Sequence, residues 1–327
     1  MDHHLDRSFA LELVRVTEAA ALQAGRFMGR GQKEAADQAA VDAMRRVLNT
    51  IPMDGLVVIG EGVKDKAPML YEGEYVGSAS EPKTDIAVDP IDGTRLLSQG
   101  MAGSIATLAV AERGTMYESP YVVYMDKIVV GAEGVGAVSI DASVETNLRN
   151  LAAQLNKDIG DVTVVMLDRP RHTELAEQIR ATGARIRHIM DGDVAGAVMA
   201  ATPESGIDIL MGIGGAPEAV VSACAVRCIG GDIQCKLWAR DEGERAAVAN
   251  AGIDIDAVLT AHDLVGGDDV FFAATGITDG DFLRGVRYLG DGATTQSVVM
   301  RSRSGTVRKV DALHRLSKLD TFGSPVG

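Results

Sequence analysis

The sequence predicts an α/β protein of layered helices and sheets, and three observations carry that prediction. Short apolar runs end in glycine or proline turns, as Leu56-Val57-Val58-Ile59 does before Gly60. Helix-periodic stretches flank these runs, as where Asp37, Val41, Met44 and Leu48 recur on one face. From residue 162 onward, strand and helix patterns alternate in the manner of an α/β fold.

Taken in order, residues 8–50 read as two helices separated by Gly29-Arg30-Gly31. Asp37 heads the apolar stripe of the second helix, so its carboxylate points inward and needs a partner. Leu56–Ile59 reads as a buried strand that delivers Glu61, in Gly60-Glu61-Gly62, at its carboxyl end. A second strand, Asp85-Ile86-Ala87-Val88-Asp89, is predicted to stop at Pro90, and the turn Asp89-Pro90-Ile91-Asp92-Gly93-Thr94 follows. Alternating segments near 104–112 and 121–130 add further strands. Then come strand 162–167, helix 171–182, strand 186–190, helix 193–202, strand 207–212, helix 217–228 and strand 232–238. That order implies parallel strands joined by crossover helices. The Gly- and Asp-containing region near 140–160 divides the chain into halves at 1–158 and 159–327, and the small polar tail after Leu319 is expected to be disordered.

Composition narrows the function classes. Of 327 residues, 46% are hydrophobic and 24% charged, which is ordinary globular usage. No stretch approaches the ~18 to 20 apolar residues of a membrane span, and the polar, acidic opening Met1-Asp2-His3-His4-Leu5-Asp6 is unlike a signal peptide. A cytoplasmic protein without membrane partners is expected. The net charge of −14 repels a phosphate backbone and argues against nucleic acid. An acidic protein that binds phosphate does so through metals or local arginines. Cys224, Cys228 and Cys235 lack a fourth ligand for a zinc site and read as buried free thiols.

The turn Asp89–Thr94 carries the most chemistry. Two carboxylates three residues apart, beside a glycine and a hydroxyl, can be aimed at one cation. Phosphoryl transfer to water uses such cations, paired at roughly 3.5 to 4 Å, and oxygen ligands suit magnesium or manganese. Asp-Pro and Asp-Gly are also common turn chemistry. What favours the catalytic reading is the company: Asp37, Glu61 and the run Gly212-Ile213-Gly214-Gly215-Ala216-Pro217-Glu218 also place acids at element ends. Arg169 and Arg171 flank Pro170 after a strand and form a fork suited to phosphate, or a solvated pair at a helix start. Asp191 and Asp193 bracket Gly192 and either accept hydrogen bonds from sugar hydroxyls or cap the next helix. Tyr124 reads as a half-buried wall residue, and Glu218 lies in a first helical turn, where the dipole favours an acid in any case. Thr94 either orients a water or caps the helix that follows it.

These segments resemble the lithium-sensitive, metal-dependent phosphatase superfamily, which includes inositol monophosphatases and fructose bisphosphatases. The wider pattern resembles the class II fructose-1,6-bisphosphatases. It is carried by Lys33-Glu34-Ala35-Ala36-Asp37-Gln38-Ala39-Ala40-Val41, Ile59-Gly60-Glu61-Gly62, Ala67-Pro68-Met69-Leu70-Tyr71, Tyr124-Met125-Asp126-Lys127, Asp168-Arg169-Pro170-Arg171-His172, Asp191-Gly192-Asp193-Val194 and the glycine-rich run to Glu218.

The resemblance implies a layered α-β-α-β-α sugar-phosphatase fold with two sheets and the active site between the halves. It implies Asp37 and Glu61 as ligands of one cation, Asp89, Asp92 and Glu218 as ligands around a second, and Mn2+ or Mg2+ as the ions. Along the substrate it places Asp92, Gly93, Thr94, Tyr124, Arg169, Pro170, Arg171, Asp191, Gly192, Asp193 and Gly215. Thr94, Glu61 and Lys33 are the implied catalytic residues. After Gly62 the chain has Val63-Lys64-Asp65 where the family more often shows an acid beside the glycine, and Asp65 is given no role.

Electrostatics favours bound cations over a bare acidic pocket. Two unit charges 4 Å apart repel by about 4 kcal/mol at an effective dielectric near 20, so five converging carboxylates need counter-charge before a phosphate can join them. The expected activity is hydrolysis of the 1-phosphate of fructose-1,6-bisphosphate by metal-activated water, without a phosphoenzyme, in gluconeogenesis or sugar-phosphate metabolism. A dual fructose-1,6-/sedoheptulose-1,7-bisphosphatase, another sugar or inositol phosphatase, or a non-catalytic phosphometabolite sensor are the alternatives. The substrate partner is a small sugar bisphosphate, and a homo-oligomer, dimer or tetramer, is expected.

Overall fold

The structure, a computed structural model, describes residues 9–62, 70–118, 122–203 and 205–318. The chain runs α1 (Phe9–Ala24), α2 (Lys33–Leu48), β1 (Asp54–Ile59), β2 (Tyr75–Val76), β3 (Lys83–Asp92), α3 (Thr94–Gln99) and β4 (Ile105–Glu112). It continues through β5 (Tyr124–Val130), α4 (Val144–Gln154), β6 (Thr163–Leu167), α5 (Thr173–Thr182), β7 (Arg185–Ile189), α6 (Asp193–Ala201), β8 (Ile209–Gly215) and α7 (Ala216–Cys228). The last elements are β9 (Asp232–Trp238), α8 (Glu242–Asn250), β10 (Leu259–Thr260), α9 (Ala261–Leu264), β11 (Phe271–Gly276), β12 (Arg287–Tyr288), β13 (Gly292–Arg301) and β14 (Thr306–Arg315). These elements form two compact units, Met1–Gly114 with Asp268–Gly327, and Thr115–Gly267. The division expected at 158/159 therefore falls inside the second unit. The α/β class with two sheets is as the sequence predicts. The segment Ala67-Pro68-Met69, the opening Met1–Asp6, Asp65 and the tail from 319 lie outside the described residues.

The first unit is an eight-stranded sheet in the order β12-β13-β11-β4-β3-β1-β2, with β14 on β13. β1 and β3 are parallel neighbours, and β3, β4, β11 and β13 alternate antiparallel. β3 and β4 are buried almost throughout, which explains their near-continuous apolar sequence. α1 and α2 pack on the sheet: Leu13, Val16, Val41, Met44 and Leu48 join Ile86, Val88, Leu108 and Phe271 in one core. β3 does not stop at Pro90. It runs on to Asp92 across a one-residue slip against β4, where Asp89 stands opposite Thr107 and Asp92 opposite Ile105. A bulge accommodates a proline that has no amide to give to the ladder.

The second unit is a six-stranded sheet in the order β10-β9-β5-β8-β6-β7. β6 is parallel to both β7 and β8, as expected of crossover helices. The expectation of a wholly parallel sheet fails at its middle. β5 lies between β8 and β9 and runs antiparallel to both over its full length. This is also the physical reason for the misplaced division: a central strand of this sheet is supplied by residues before 158. Ile128 and Val130 face a core with Leu148, Leu151 and Ile179 of α4 and α5, so the alternate residue Lys127 turns to the other face, which α6 and α7 cover. All three cysteines are free and buried. No helix among the described residues is long and apolar enough to cross a membrane.

Helix α1 meets strands β11 and β13 in the first unit through a buried row of hydroxyls. Thr17 of α1 donates to the Val14 carbonyl at 3.0 Å, so its oxygen accepts from Thr275 of β11 at 2.7 Å, and Thr275 in turn accepts from Ser297 of β13 at 2.8 Å. Thr275→Val keeps the shape and strands its two neighbours. The expected loss is about 1 to 3 kcal/mol in denaturant unfolding; an unchanged midpoint would show that the row contributes nothing.

Candidate active site

In the first unit the acids stand at strand ends and helix starts. β1 and β3 run parallel with Ile59 opposite Ala87, so Glu61, just past β1, and Asp89 and Asp92, at the end of β3, lie at the carboxyl ends of neighbouring strands. Glu61 is exposed, its amide donating to the Leu70 carbonyl at 2.9 Å. Asp89 is half-buried and its Oδ1 accepts from the Ile91 amide at 3.1 Å, while Asp92 is 3% exposed. Gly93 is the N-cap of α3 in the left-handed conformation, at φ 88°. Thr94 is therefore the first helical residue and not the cap. Its hydroxyl lies 3.1 Å from the Ile91 carbonyl and 3.4 Å from Asp37 Oδ1, which brings α2 to the Asp92-Gly93-Thr94 segment. Burial holds the Asp37 pKa above the usual carboxylate value and Glu34 adds to this, whereas the Thr94 contact and Lys33, exposed at the start of α2, pull it down.

Among the described residues, no three His, Cys, Asp or Glu side chains converge into a ready metal-holding group. The donor chemistry nonetheless fits hard divalent cations: every candidate ligand is a carboxylate. Glu218 supplies the clearest sign. It is half-buried as a residue, yet its Oε2 is fully enclosed without a hydrogen-bond partner. A buried carboxylate oxygen with no donor is a poor place for a charge unless something positive completes it.

In the second unit, the glycine run ending β8 brings α6 and α7 close. Asp193 is the first residue of α6 and Glu218 sits in the first turn of α7, with Gly192 and Gly215 as the respective N-caps. Asp193 is not a helix cap. Its Oδ2 takes Lys127 Nζ of β5 at 2.5 Å, in a pair almost wholly buried. A side chain at Gly214 would fall on both of these groups, so only glycine lets β8 pass there. Burial alone would push the Lys127 pKa down, but Asp193 and then Glu218 hold it above the usual value. Glu218 is raised by burial first and by Asp193 next, with Lys127 opposing. Sequence reasoning gave Lys127 no role. The signal was available: a lysine inside the apolar alternation of Met125-Asp126-Lys127-Ile128-Val129-Val130 needs a buried acid.

The arginines follow β6. Arg169 Nη1 donates to the Met190 carbonyl at 2.6 Å and Nη2 to Asp191 Oδ1 at 3.2 Å, so Asp191 is joined to the arginine pair. Pro170 opens a 3-10 turn that also holds Arg171 and His172. Arg171 donates to the Ile213 carbonyl from Nε at 3.2 Å and Nη2 at 2.7 Å and lies 5.0 Å over the Tyr124 ring. Tyr124 packs edge-on against Trp238 at 6.0 Å. The second unit thus gathers Tyr124, Arg169, Arg171 and Asp191 with Asp193 and Glu218 at the ends of its strands, and both arginines are half-buried rather than a solvated pair.

Residues 7–314 match the family described as bacterial fructose-1,6-bisphosphatase, glpX-encoded. A fructose-1,6-bisphosphatase class 2 of Haemophilus influenzae is 44% identical over 96% of this chain and 98% of its own length. A protein of a Synechococcus species named D-fructose 1,6-bisphosphatase class 2/sedoheptulose 1,7-bisphosphatase is 45% identical over 95% of this chain and 96% of its own. Among solved structures, the extragenic suppressor protein suhB of Bartonella henselae has a TM-score of 0.34 at 16% identity, covering 59% of this chain and 73% of that one. The inositol monophosphatase of Anabaena has a TM-score of 0.31 at 14% identity, covering 60% and 72%. TM-scores this low do not establish a shared fold.

The Lys127 pair yields a direct expectation. Lys127→Met keeps the length of the side chain and leaves Asp193 and Glu218 buried without a cation. The second unit should lose about 3 to 5 kcal/mol, read from denaturant unfolding. Wild-type stability in Lys127→Met would mean that the two acids are neutral or solvated in the folded protein.

Proposed function

The chain belongs to the bacterial glpX-encoded fructose-1,6-bisphosphatase family, and from that membership we propose that it hydrolyses the 1-phosphate of fructose-1,6-bisphosphate to fructose-6-phosphate and phosphate. One observation supports this most: the matched span contains every candidate residue from Lys33 to Glu218. We assign Asp37, Glu61, Asp89, Asp92 and Glu218 to hold divalent cations, Mg2+ or Mn2+. Bound there, such cations neutralise phosphate oxygens and activate water for attack.

The remaining roles fall to this chain's own groups. Thr94, held between the Ile91 carbonyl and Asp37, orients the attacking water, and Glu61 takes its proton, with Lys33 beside Asp37 balancing the local charge. Asp92, Gly93 and Thr94, and likewise Gly215, are assigned to contact the substrate. Arg169 and Arg171 hold the phosphate that stays on the sugar, Tyr124 and Pro170 form its wall, and Asp191, Gly192 and Asp193 receive sugar hydroxyls. The reaction belongs to gluconeogenic or related sugar-phosphate metabolism in the cytoplasm, carried out by a dimer or tetramer. A second substrate, sedoheptulose-1,7-bisphosphate, is favoured by the name of the Synechococcus relative.

Phosphate release from fructose-1,6-bisphosphate, sedoheptulose-1,7-bisphosphate, fructose-6-phosphate and inositol-1-phosphate tests the substrate. The two bisphosphates should be used far better than either monophosphate. Charge-assisted phosphate contacts contribute about 1.5 to 3 kcal/mol each, so Arg169→Ala and Arg171→Ala should raise KM for the bisphosphate roughly ten- to hundredfold with a smaller effect on kcat. Equal loss on monophosphates and bisphosphates would move the arginines to the reacting phosphate or to the fold.

A further inference from the structure

β6 and β8 are paired only at Val164 opposite Ile209 and Val165 opposite Leu210. Beyond that the ladder ends, although β8 continues to Gly215. Ile213 therefore turns its N–H and its carbonyl toward a side that β6 has left, and a buried peptide group without a partner is costly. Both groups are taken by the segment that follows β6. The Ile213 amide donates to His172 Nε2 at 2.8 Å, and the Ile213 carbonyl accepts from Arg171.

The other nitrogen of the same ring, His172 Nδ1, lies 2.8 Å from the Leu167 carbonyl at the end of β6. A carbonyl only accepts and an amide N–H only donates, so the proton sits on Nδ1 and Nε2 is the acceptor. The ring is neutral and in one tautomer, and it bridges β6 to β8 where their own hydrogen bonds stop. Gly212 is shaped for it: at φ 128°, a Cβ there would stand 3.0 Å from Nε2 and 3.1 Å from Cε1. Burial first, and the charges of Arg171 and Arg169 after it, hold the ring's pKa below the ordinary imidazole value, against the two backbone contacts that raise it. Across the cavity of about 240 Å³ that His172 lines, β5 contributes Asp126 and Lys127, while the lining from α4, α5 and β8 is uncharged.

We propose that His172 is the positioning residue for Arg171, its neutral imidazole replacing the lost β6–β8 ladder and fixing the Ile213 carbonyl against which the guanidinium is aimed. The inference rests on the reading that Arg171 holds the phosphate retained on the sugar. The residue touches no reacting atom, so its effect should fall on KM and not on kcat.

The test is steady-state kinetics on fructose-1,6-bisphosphate with saturating Mg2+ for His172→Phe, His172→Gln, Arg171→Ala and the double variant Arg171→Ala/His172→Phe. His172→Phe keeps the ring shape and leaves the Ile213 amide unpaired; KM should rise on the order of tenfold, with kcat changed much less. His172→Gln returns an acceptor oxygen to that amide and should recover part of the loss, which also serves if the phenylalanine variant fails to fold. The double variant should be no worse than Arg171→Ala alone, because the ring acts through the arginine. A normal KM in His172→Phe, a His172→Gln variant no better than His172→Phe, or additive effects in the double variant, beside a raised KM in Arg171→Ala, would overturn this inference alone. A normal KM in Arg171→Ala would overturn the phosphate reading, and this inference with it.

Discussion

The ion pair between Lys127 Nζ and Asp193 Oδ2 lets the second unit bury two carboxylates at adjacent helix starts, because each buried charge would otherwise carry a desolvation penalty of several kcal/mol. Its geometry follows from one strand. β5 runs antiparallel between β8 and β9, its pleat sends Lys127 to the face of α6 and α7, and the glycines at the end of β8 leave room for the carboxylates it meets. One ammonium stands against Asp193 and Glu218, and Glu218 Oε2 remains without a donor. In the first unit the Thr94 hydroxyl lies against Asp37 and the Ile91 amide donates to Asp89. The phosphates of the proposed reaction would bring further negative charge to these acids, and bound divalent cations would supply the counter-charge.

Most of the local structure was legible in the sequence. The apolar runs of β1, β3, β4 and β6 and the periodic face of α2 follow from burial on one or two faces, and these elements, with α1, α5 and α7, lie within a few residues of the bounds expected. What the pattern does not encode is address. Residues 121–130 read correctly as a strand, but nothing in Tyr124–Val130 states that it enters the sheet of the later residues, so the halves were divided at 158. The bulge at Pro90 was read as an end because a proline that stops a strand and one that sits at a slip look the same. Residues 239–318 received no assignment. In β14 this has a physical basis, since Arg, Lys, Asp and His interrupt its apolar residues and the strand is half-exposed or exposed along its length.

The site residues divide in the same way. Acids at the ends of strands stood out because a carboxylate after a buried apolar run has few structural reasons to be there. Lys127 and His172 do not stand out in the sequence, although both lie in segments that carry the family resemblance, because their partners, Asp193 and the Ile213 peptide, are distant along the chain. Thr94 was open between cap and catalyst until the helix start showed Gly93 in the capping position. Each of these cases turns on which backbone group faces which side chain, information that spacing along the chain does not hold.

The central claim is that the carboxylates at the ends of β1 and β3 act by holding divalent cations for hydrolysis of a sugar bisphosphate. Phosphate release from fructose-1,6-bisphosphate should be measured for the wild type and Asp89→Ala with Mg2+, with Mn2+ and with excess chelator, alongside circular dichroism. The wild type should turn over with a cation and stop in chelator, and Asp89→Ala should be folded and lose at least 10²-fold in rate, the order expected when an electrostatic stabiliser of the transition state is removed. Full activity in chelator, or a wild-type rate in Asp89→Ala, would contradict the account.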